Sequence, residues 1–85
     1  MSGRVPVLRT ITLGASYAPL SVVPLIGNFT ITAIGSNSGP CYFLGDDASD
    51  VIVAVNNWFE FVGVDLAALQ MKGTPGDKVT VIGHA

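Results

Sequence analysis

Apolar and polar residues alternate with a period of two along most of this chain, and the three-to-four spacing of an amphipathic helix hardly occurs. The clearest run is Asn28 to Ile34. Phe29, Ile31 and Ala33 fall on one face and Thr30, Thr32 and Ile34 on the other, which predicts a half-buried strand. Val7 to Leu13 predicts a second strand, with Val7, Arg9, Ile11 and Leu13 on one side and Leu8, Thr10 and Thr12 on the other; Arg9 is its irregular member. Pro6 suits a strand start or an edge. Pro19 and Pro24 each remove a ladder donor, which confines Tyr17 to Ile26 to an edge, a bulge or an extended strap.

Past the middle, Gly39-Pro40 is a turn signal that launches Cys41 to Leu44, a run too apolar for a surface strand and too short for a helix, and therefore predicted to be central. Asp46 to Asp50 interrupts the pattern and Val51 to Val55 resumes it, with Asn56-Asn57 as a turn before Trp58 to Val62. Asp65 to Leu69 has room for one helical turn between Gly63 and Gly73. Leu69 to Lys72 and Lys78 to Ile82 flank Gly73-Thr74-Pro75-Gly76-Asp77, which has the length and composition of a longer hairpin loop. These seven or eight short strands predict an all-β fold, a small antiparallel sandwich or barrel of miniature jelly-roll type. No repeat or linker divides the chain, so the expected organisation is an N-terminal arm over residues 1–9 and a single β domain over residues 10–85.

Composition narrows the function classes. A folded monomer of 8.8 kDa exposes on the order of 4,800 Å² against roughly 12,800 Å² unfolded, a shortage of burial that small domains offset with disulfides, a metal or association. Cys41 is the single cysteine and His84 the single histidine, so no internal disulfide and no zinc site are expected. Association is the remaining route, and Cys41 reads as a buried filler in a chain made in a reducing cytosol. Arg4, Arg9, Lys72 and Lys78 are too few to form the cationic face that a nucleic-acid backbone needs. No apolar run is long enough for a transmembrane helix, and no basic segment precedes an apolar one as in a signal peptide. Every residue from Thr10 to Gly45 is uncharged. A free surface strand pair normally carries charge against edge pairing, so part of this half is expected to be covered by another chain.

Catalytic constellations are missing from the sequence. There is no nucleophile elbow, phosphate loop, zinc-protease helix or dinucleotide fingerprint, and the serines lie in turn segments without a neighbouring base. No enzyme activity and no cofactor are expected. Asp46, Asp47 and Asp50 form the only acidic cluster; its spacing lacks the oxygen count and turn glycine of a calcium loop and reads as a solvated turn. Tyr42 and Trp58, with Asn57 and Glu60 nearby, have the ring faces and polar tips of a carbohydrate platform, whereas core and interface roles are the commoner use of such aromatics in small β domains.

The order of features from residue 37 to 83 resembles the small all-β virion proteins of tailed bacteriophages. It runs Asn37-Ser38-Gly39-Pro40 into Cys41-Tyr42-Phe43-Leu44-Gly45, a variable acidic loop, Val64-Asp65-Leu66-Ala67-Ala68-Leu69 and then Gly73-Thr74-Pro75-Gly76-Asp77-Lys78-Val79-Thr80-Val81-Ile82-Gly83. The resemblance implies a structural role without catalysis, as a capsid decoration (cement) subunit or a head-fibre or tail accessory component. It also implies a homo-oligomer, with a trimer favoured, the major capsid protein as partner and the capsid surface as location after synthesis in the host cytoplasm. Only the turn glycines, Asp65-Leu66 and Gly76-Asp77 match position by position, and these are architectural. Phe59-Glu60-Phe61 departs from the more polar pattern of the relatives.

Two sets of candidate residues follow. For docking on neighbouring chains they are Arg4, Val5, Pro6, Val7, Pro19, Leu20, Pro24 and Leu25, in the arm and the proline-bearing strap. For the alternative reading, a carbohydrate- or receptor-binding module of a fibre or tail component, the ligand face is Tyr42, Trp58, Asn57 and Glu60.

Overall fold

A computed structural model describes residues 5–85. Its eight strands are β1 (Pro6–Thr12), β2 (Ala18–Pro19), β3 (Ile26–Ala33), β4 (Cys41–Leu44), β5 (Asp50–Val53), β6 (Trp58–Asp65), β7 (Gln70–Lys72) and β8 (Lys78–His84), with one 3-10 turn over Leu66–Ala68. They form two antiparallel four-stranded sheets, β1-β8-β3-β6 and β2-β7-β4-β5. Consecutive strands alternate between the two sheets except at the β4–β5 hairpin, which is the strand order of a jelly roll, so the predicted all-β sandwich holds.

The core lies between the sheets and is built by the period-two pattern. From the first sheet come Val7, Phe29, Ile31, Ala33, Val79 and Val81; from the second come Cys41, Phe43, Val53 and Met71, with Leu13, Leu20 and Leu66 at its margins. Phe43 meets Phe61 and Phe59 edge-on across the gap, at centroid separations of 5.5 and 6.4 Å. The short 3-10 turn is capped by Asp65, whose Oδ1 accepts from the Ala67 N–H at 2.9 Å and from the Leu25 N–H at 3.0 Å. That carboxylate ties the proline-bearing strap to the end of β6.

Three expectations are corrected. Residues 6–9 are not an arm: Pro6 to Thr12 pair with β8 in continuous register, and Val7 and Leu20 are buried in the core, so neither is a docking residue. Arg4 lies outside the described residues. The last two strands do not form a hairpin. β7 pairs with β2 and β4 in one sheet, and β8 with β1 and β3 in the other. The loop between them is held as a crossing, because the N–H groups of Gly73 and Gly76 bond the carbonyls of Gly14 and Leu13 across the β1–β2 corner. Asp77 completes it: its buried carboxyl accepts from both the backbone N–H and the hydroxyl of Ser38 at 3.0–3.1 Å. Finally, Tyr42 and Trp58 belong to different sheets and cannot form one platform.

Candidate functional site

The outer faces of the two sheets differ in chemistry. On the β1-β8-β3-β6 sheet the registers set Leu8, Ile82, Thr30 and Glu60 side by side in one row, and Thr10, Thr80, Thr32 and Trp58 in the next. Leu8, Trp58 and Ile82 are exposed, as are Ile26 and Val62 at the margin. Glu60 is the one charge within these two rows. A shallow groove of about 260 Å³ runs along Leu8, Arg9, Thr10, Thr80 and Ile82, with Arg9 as its one charge. Threonine methyls beside branched aliphatic side chains make this a flat, weakly polar surface, of the kind that buries against another protein at small desolvation cost.

The outer face of the β2-β7-β4-β5 sheet carries a polar cluster. Lys72 on β7 reaches Asp50 at 3.3 Å, and its Nζ lies 4.7 Å from the Tyr17 ring centre and 5.9 Å from that of Tyr42. The Tyr17 hydroxyl donates to Asp50 Oδ1 at 2.5 Å and reaches the Phe43 carbonyl at 3.3 Å. Loss of hydration and then the Asp50 carboxylate push the Tyr17 phenol up to about 12. The same hydrogen bond, with help from Lys72, holds the Asp50 carboxyl below its ordinary value. Beside this cluster Tyr42, Lys72, Pro40, Thr74 and Pro75 line a hollow of about 330 Å³.

Of the expected docking residues, Val5, Pro6, Pro19 and Pro24 are exposed and Leu25 is partly buried against the core. Val5 is occupied in its backbone, exchanging two hydrogen bonds with Ala85. Of the expected ligand face, Asn57, Trp58 and Glu60 lie together at the start of β6, and Tyr42 stands alone on the opposite side of the sandwich. The acidic loop does not converge. Asp47 folds back on Ser49, whose hydroxyl and N–H depress its carboxyl, while Asp50 is taken by Tyr17 and Lys72. Among the described residues no group of three or more His, Cys, Asp or Glu side chains could hold a metal ion, and no helix is long and apolar enough to cross a membrane. Cys41 is fully buried, and burial pushes its thiol up.

Apart from Trp58 and Glu60, the outer apolar face is not among the residues singled out from the sequence, yet its signal is there. Adjacent apolar pairs within a strand, Val7-Leu8, Trp58-Phe59, Phe61-Val62 and Val81-Ile82, must present one member to each face of the sheet. The Tyr17–Asp50–Lys72 cluster had no such signal, because its members come from three separate segments. The chain matches no family model, no curated protein and no solved structure.

Proposed function

We propose that this protein is a non-enzymatic structural component of a bacteriophage virion, a capsid decoration subunit that associates with itself and with the shell. The observation that carries this reading is the outer face of the β1-β8-β3-β6 sheet, where Leu8, Ile82, Trp58 and Val62 stand exposed among threonines. Its low charge suits burial against protein. The order of motifs from residue 37 to 83 supplies the virion context, and jelly rolls are recurrent in viral shells.

The test is co-sedimentation of the purified chain with shells assembled from the major capsid protein of the same phage. Wild type should pellet with the shells, and Ile82→Lys, an exposed position on the outer face, should stay in the supernatant with an unchanged circular dichroism spectrum. Binding that survives charges at both Leu8 and Ile82 would overturn this choice of surface.

A second reading, carbohydrate or receptor binding by a fibre or tail component, keeps one observation. The hollow is lined by Tyr42, Pro40 and Pro75 together with the polar residues Lys72 and Thr74. Stacking of a sugar ring there would shift the Tyr42 ring resonances on titration with oligosaccharides, and Tyr42→Ala would abolish the accompanying shifts of the Gly73 and Thr74 amides in the same hollow. Trp58, on the other side of the sandwich, would not respond.

A further inference from the structure

A sandwich of two open sheets has four edge strands, and three of these are blunted. β2 is two residues long and contains Pro19. β5 is four residues long, begins at Asp50 and follows the Asp46-Asp47 turn. β1 begins with Pro6, which has no N–H, and Arg9 occupies the parity of the inward-facing Val7 and Ile11 while remaining exposed. Short length, proline and a charge at an inward-facing position are among the devices by which edges are kept from pairing. β6 lacks these three and is protected only by the single mid-strand charge of Glu60 and the irregularity at Gly63. It runs eight residues without proline, and Glu60 is its only charge before the terminal Asp65.

The free backbone groups of β6 can be placed from its ladder. The Ala33 N–H bonds the Asn57 carbonyl at 2.9 Å, and the Ile34 N–H turns the other way to the Lys78 carbonyl. Odd-numbered residues of β6 therefore face β3, and Trp58, Glu60 and Val62 direct their N–H and C=O groups away from the sheet. The regular edge stops at Gly63, whose φ is +65° and whose N–H is taken by Asn28 Oδ1 at 2.8 Å. On the same flank the inward-facing side chains are incompletely covered: Phe59 of β6 and Val51 of β5 remain 43% and 45% exposed.

We infer that β6 is the self-association edge, pairing antiparallel with β6 of a second copy about a two-fold axis through Glu60. This rests on the self-association proposed above and names its surface. The occupant is a second copy because the register is self-complementary. With Glu60 on the axis, all three outward-facing residues of each chain pair, giving about six backbone hydrogen bonds. Trp58 then lies opposite Val62 of the other copy on the outer face, and Phe59 opposite Phe61 on the inner face. Aromatic–aliphatic and aromatic–aromatic cross-strand pairs are favourable ones, and each occurs twice by symmetry. The inner pair closes the wall around Phe43 and covers Phe59. One contact opposes association: the two Glu60 carboxylates face each other. The two sheets become one continuous eight-stranded sheet, and the apolar outer face doubles in width.

The test is the self-association constant of the intact chain by sedimentation equilibrium, with three comparisons. Wild type should be a dimer that tightens as salt screens the Glu60 pair. Glu60→Gln should tighten association about two- to fivefold at low salt and remove the salt dependence. Glu60→Pro should leave a folded monomer, since the N–H it removes points away from β3. Should Glu60→Pro unfold, judged by circular dichroism, Glu60→Gln alone decides. A trimer, or a dimer indifferent to both Glu60→Gln and salt, would overturn β6 pairing and leave self-association standing through another surface. A wild-type chain that stays monomeric at the highest workable concentration would overturn both.

Discussion

Replacing Gly83 by alanine tests the feature that closes the β1-β8-β3-β6 sheet. The register between β3 and β6 shifts between Gly27 and Phe29, and Asn28 occupies this irregularity opposite His84 of β8. There the backbone of β3 presses onto β8. A Cβ at Gly83 would overlap the Asn28 carbonyl oxygen and come within 2.9 Å of Phe29 Cα, both of them backbone atoms that cannot rotate aside. The strands must part locally. The bonds at risk are those of the Asn28–His84 ladder pair, the Asn28 Oδ1 bond to the Gly63 N–H at 2.8 Å and the Asn28–His84 side-chain contact at 3.3 Å. At a net value of about 0.5–1.5 kcal/mol each, their loss costs about 3 kcal/mol. For a chain of this size that is a large share of a total stability of roughly 4–13 kcal/mol. It corresponds to a fall in melting temperature of about 12–24 °C. Gly14→Ala is the control, because nothing lies within 4 Å of its Cβ position. Thermal unfolding followed by circular dichroism reads both. A Gly83→Ala midpoint within about 3 °C of the Gly14→Ala midpoint would refute the close-approach argument.

Asp77→Ala leaves the Ser38 N–H and hydroxyl without their acceptor and should cost about 1–3 kcal/mol in urea unfolding; an unchanged midpoint counts against the crossing-loop assignment. Deleting residues 1–9 removes half of β1 and the buried Val7, so it should lower stability by more than about 2 kcal/mol in the same assay; a deletion variant as stable as wild type would contradict the β1–β8 pairing. Phenolate absorbance should show a late step toward pH 12 from Tyr17, moving back toward 10 in Asp50→Asn, whereas a late step untouched by that change would refute the Asp50 assignment. Because folded Tyr17 keeps its proton between pH 10 and about 12 while the unfolded phenol has released it, stability should fall as pH rises through that window. Asp50 acts at the other end: its depressed carboxyl contributes stability that is present above the ordinary carboxylate value and lost as pH falls below it.

Strand existence was legible because burial writes period two into the residues that share a core. Phe29, Ile31 and Ala33 all face inward as their alternation requires, Cys41 to Leu44 is flanked on both sides by other strands, and the single turn after Asp65 forms where Leu66 can insert. Pairing was not legible. Gly73-Thr74-Pro75-Gly76-Asp77 has the chemistry of a hairpin loop, but the same residues serve a crossing between sheets, and which occurs is decided by β1, β2, β3 and β4 far away in sequence. The arm expected over residues 1–9 overlaps the strand start that Pro6 and the alternation from Val7 indicate, and burial of Val7 with pairing to β8 decides for the strand. The splitting of Tyr42 from Trp58 has the same origin, since sheet membership is a property of the whole topology.

The surface of this molecule is ordinary in extent and unusual in allocation. Its 5000 Å² is close to the roughly 4,800 Å² expected for a compact monomer of this mass, so exposed apolar side chains do not follow from an extended or poorly packed shape. They follow from placement. Asp50 and Lys72 lie on the β2-β7-β4-β5 sheet beside the Asp46-Asp47 turn, whereas the other sheet carries Arg9 on its edge strand, Asp65 and Lys78 at strand ends, and Glu60 alone in its two central rows. Charge on that sheet thus lies around its central rows, apart from Glu60, while the opposite sheet also exposes Leu44 and Ile52. The least protected edge belongs to the β1-β8-β3-β6 sheet, where strand pairing through β6 would set two apolar faces side by side. Edge and face therefore act in series, since backbone hydrogen bonds fix the relative orientation of two copies and the resulting broad face supplies the area that a single copy of 85 residues lacks. This ordering has a consequence for binding assays. Glu60→Pro should weaken shell binding even though Leu8 and Ile82 are untouched, whereas Ile82→Lys should weaken shell binding and leave the β6-paired dimer intact. If both variants lose both properties together, edge and face are one interface and the serial assembly is wrong.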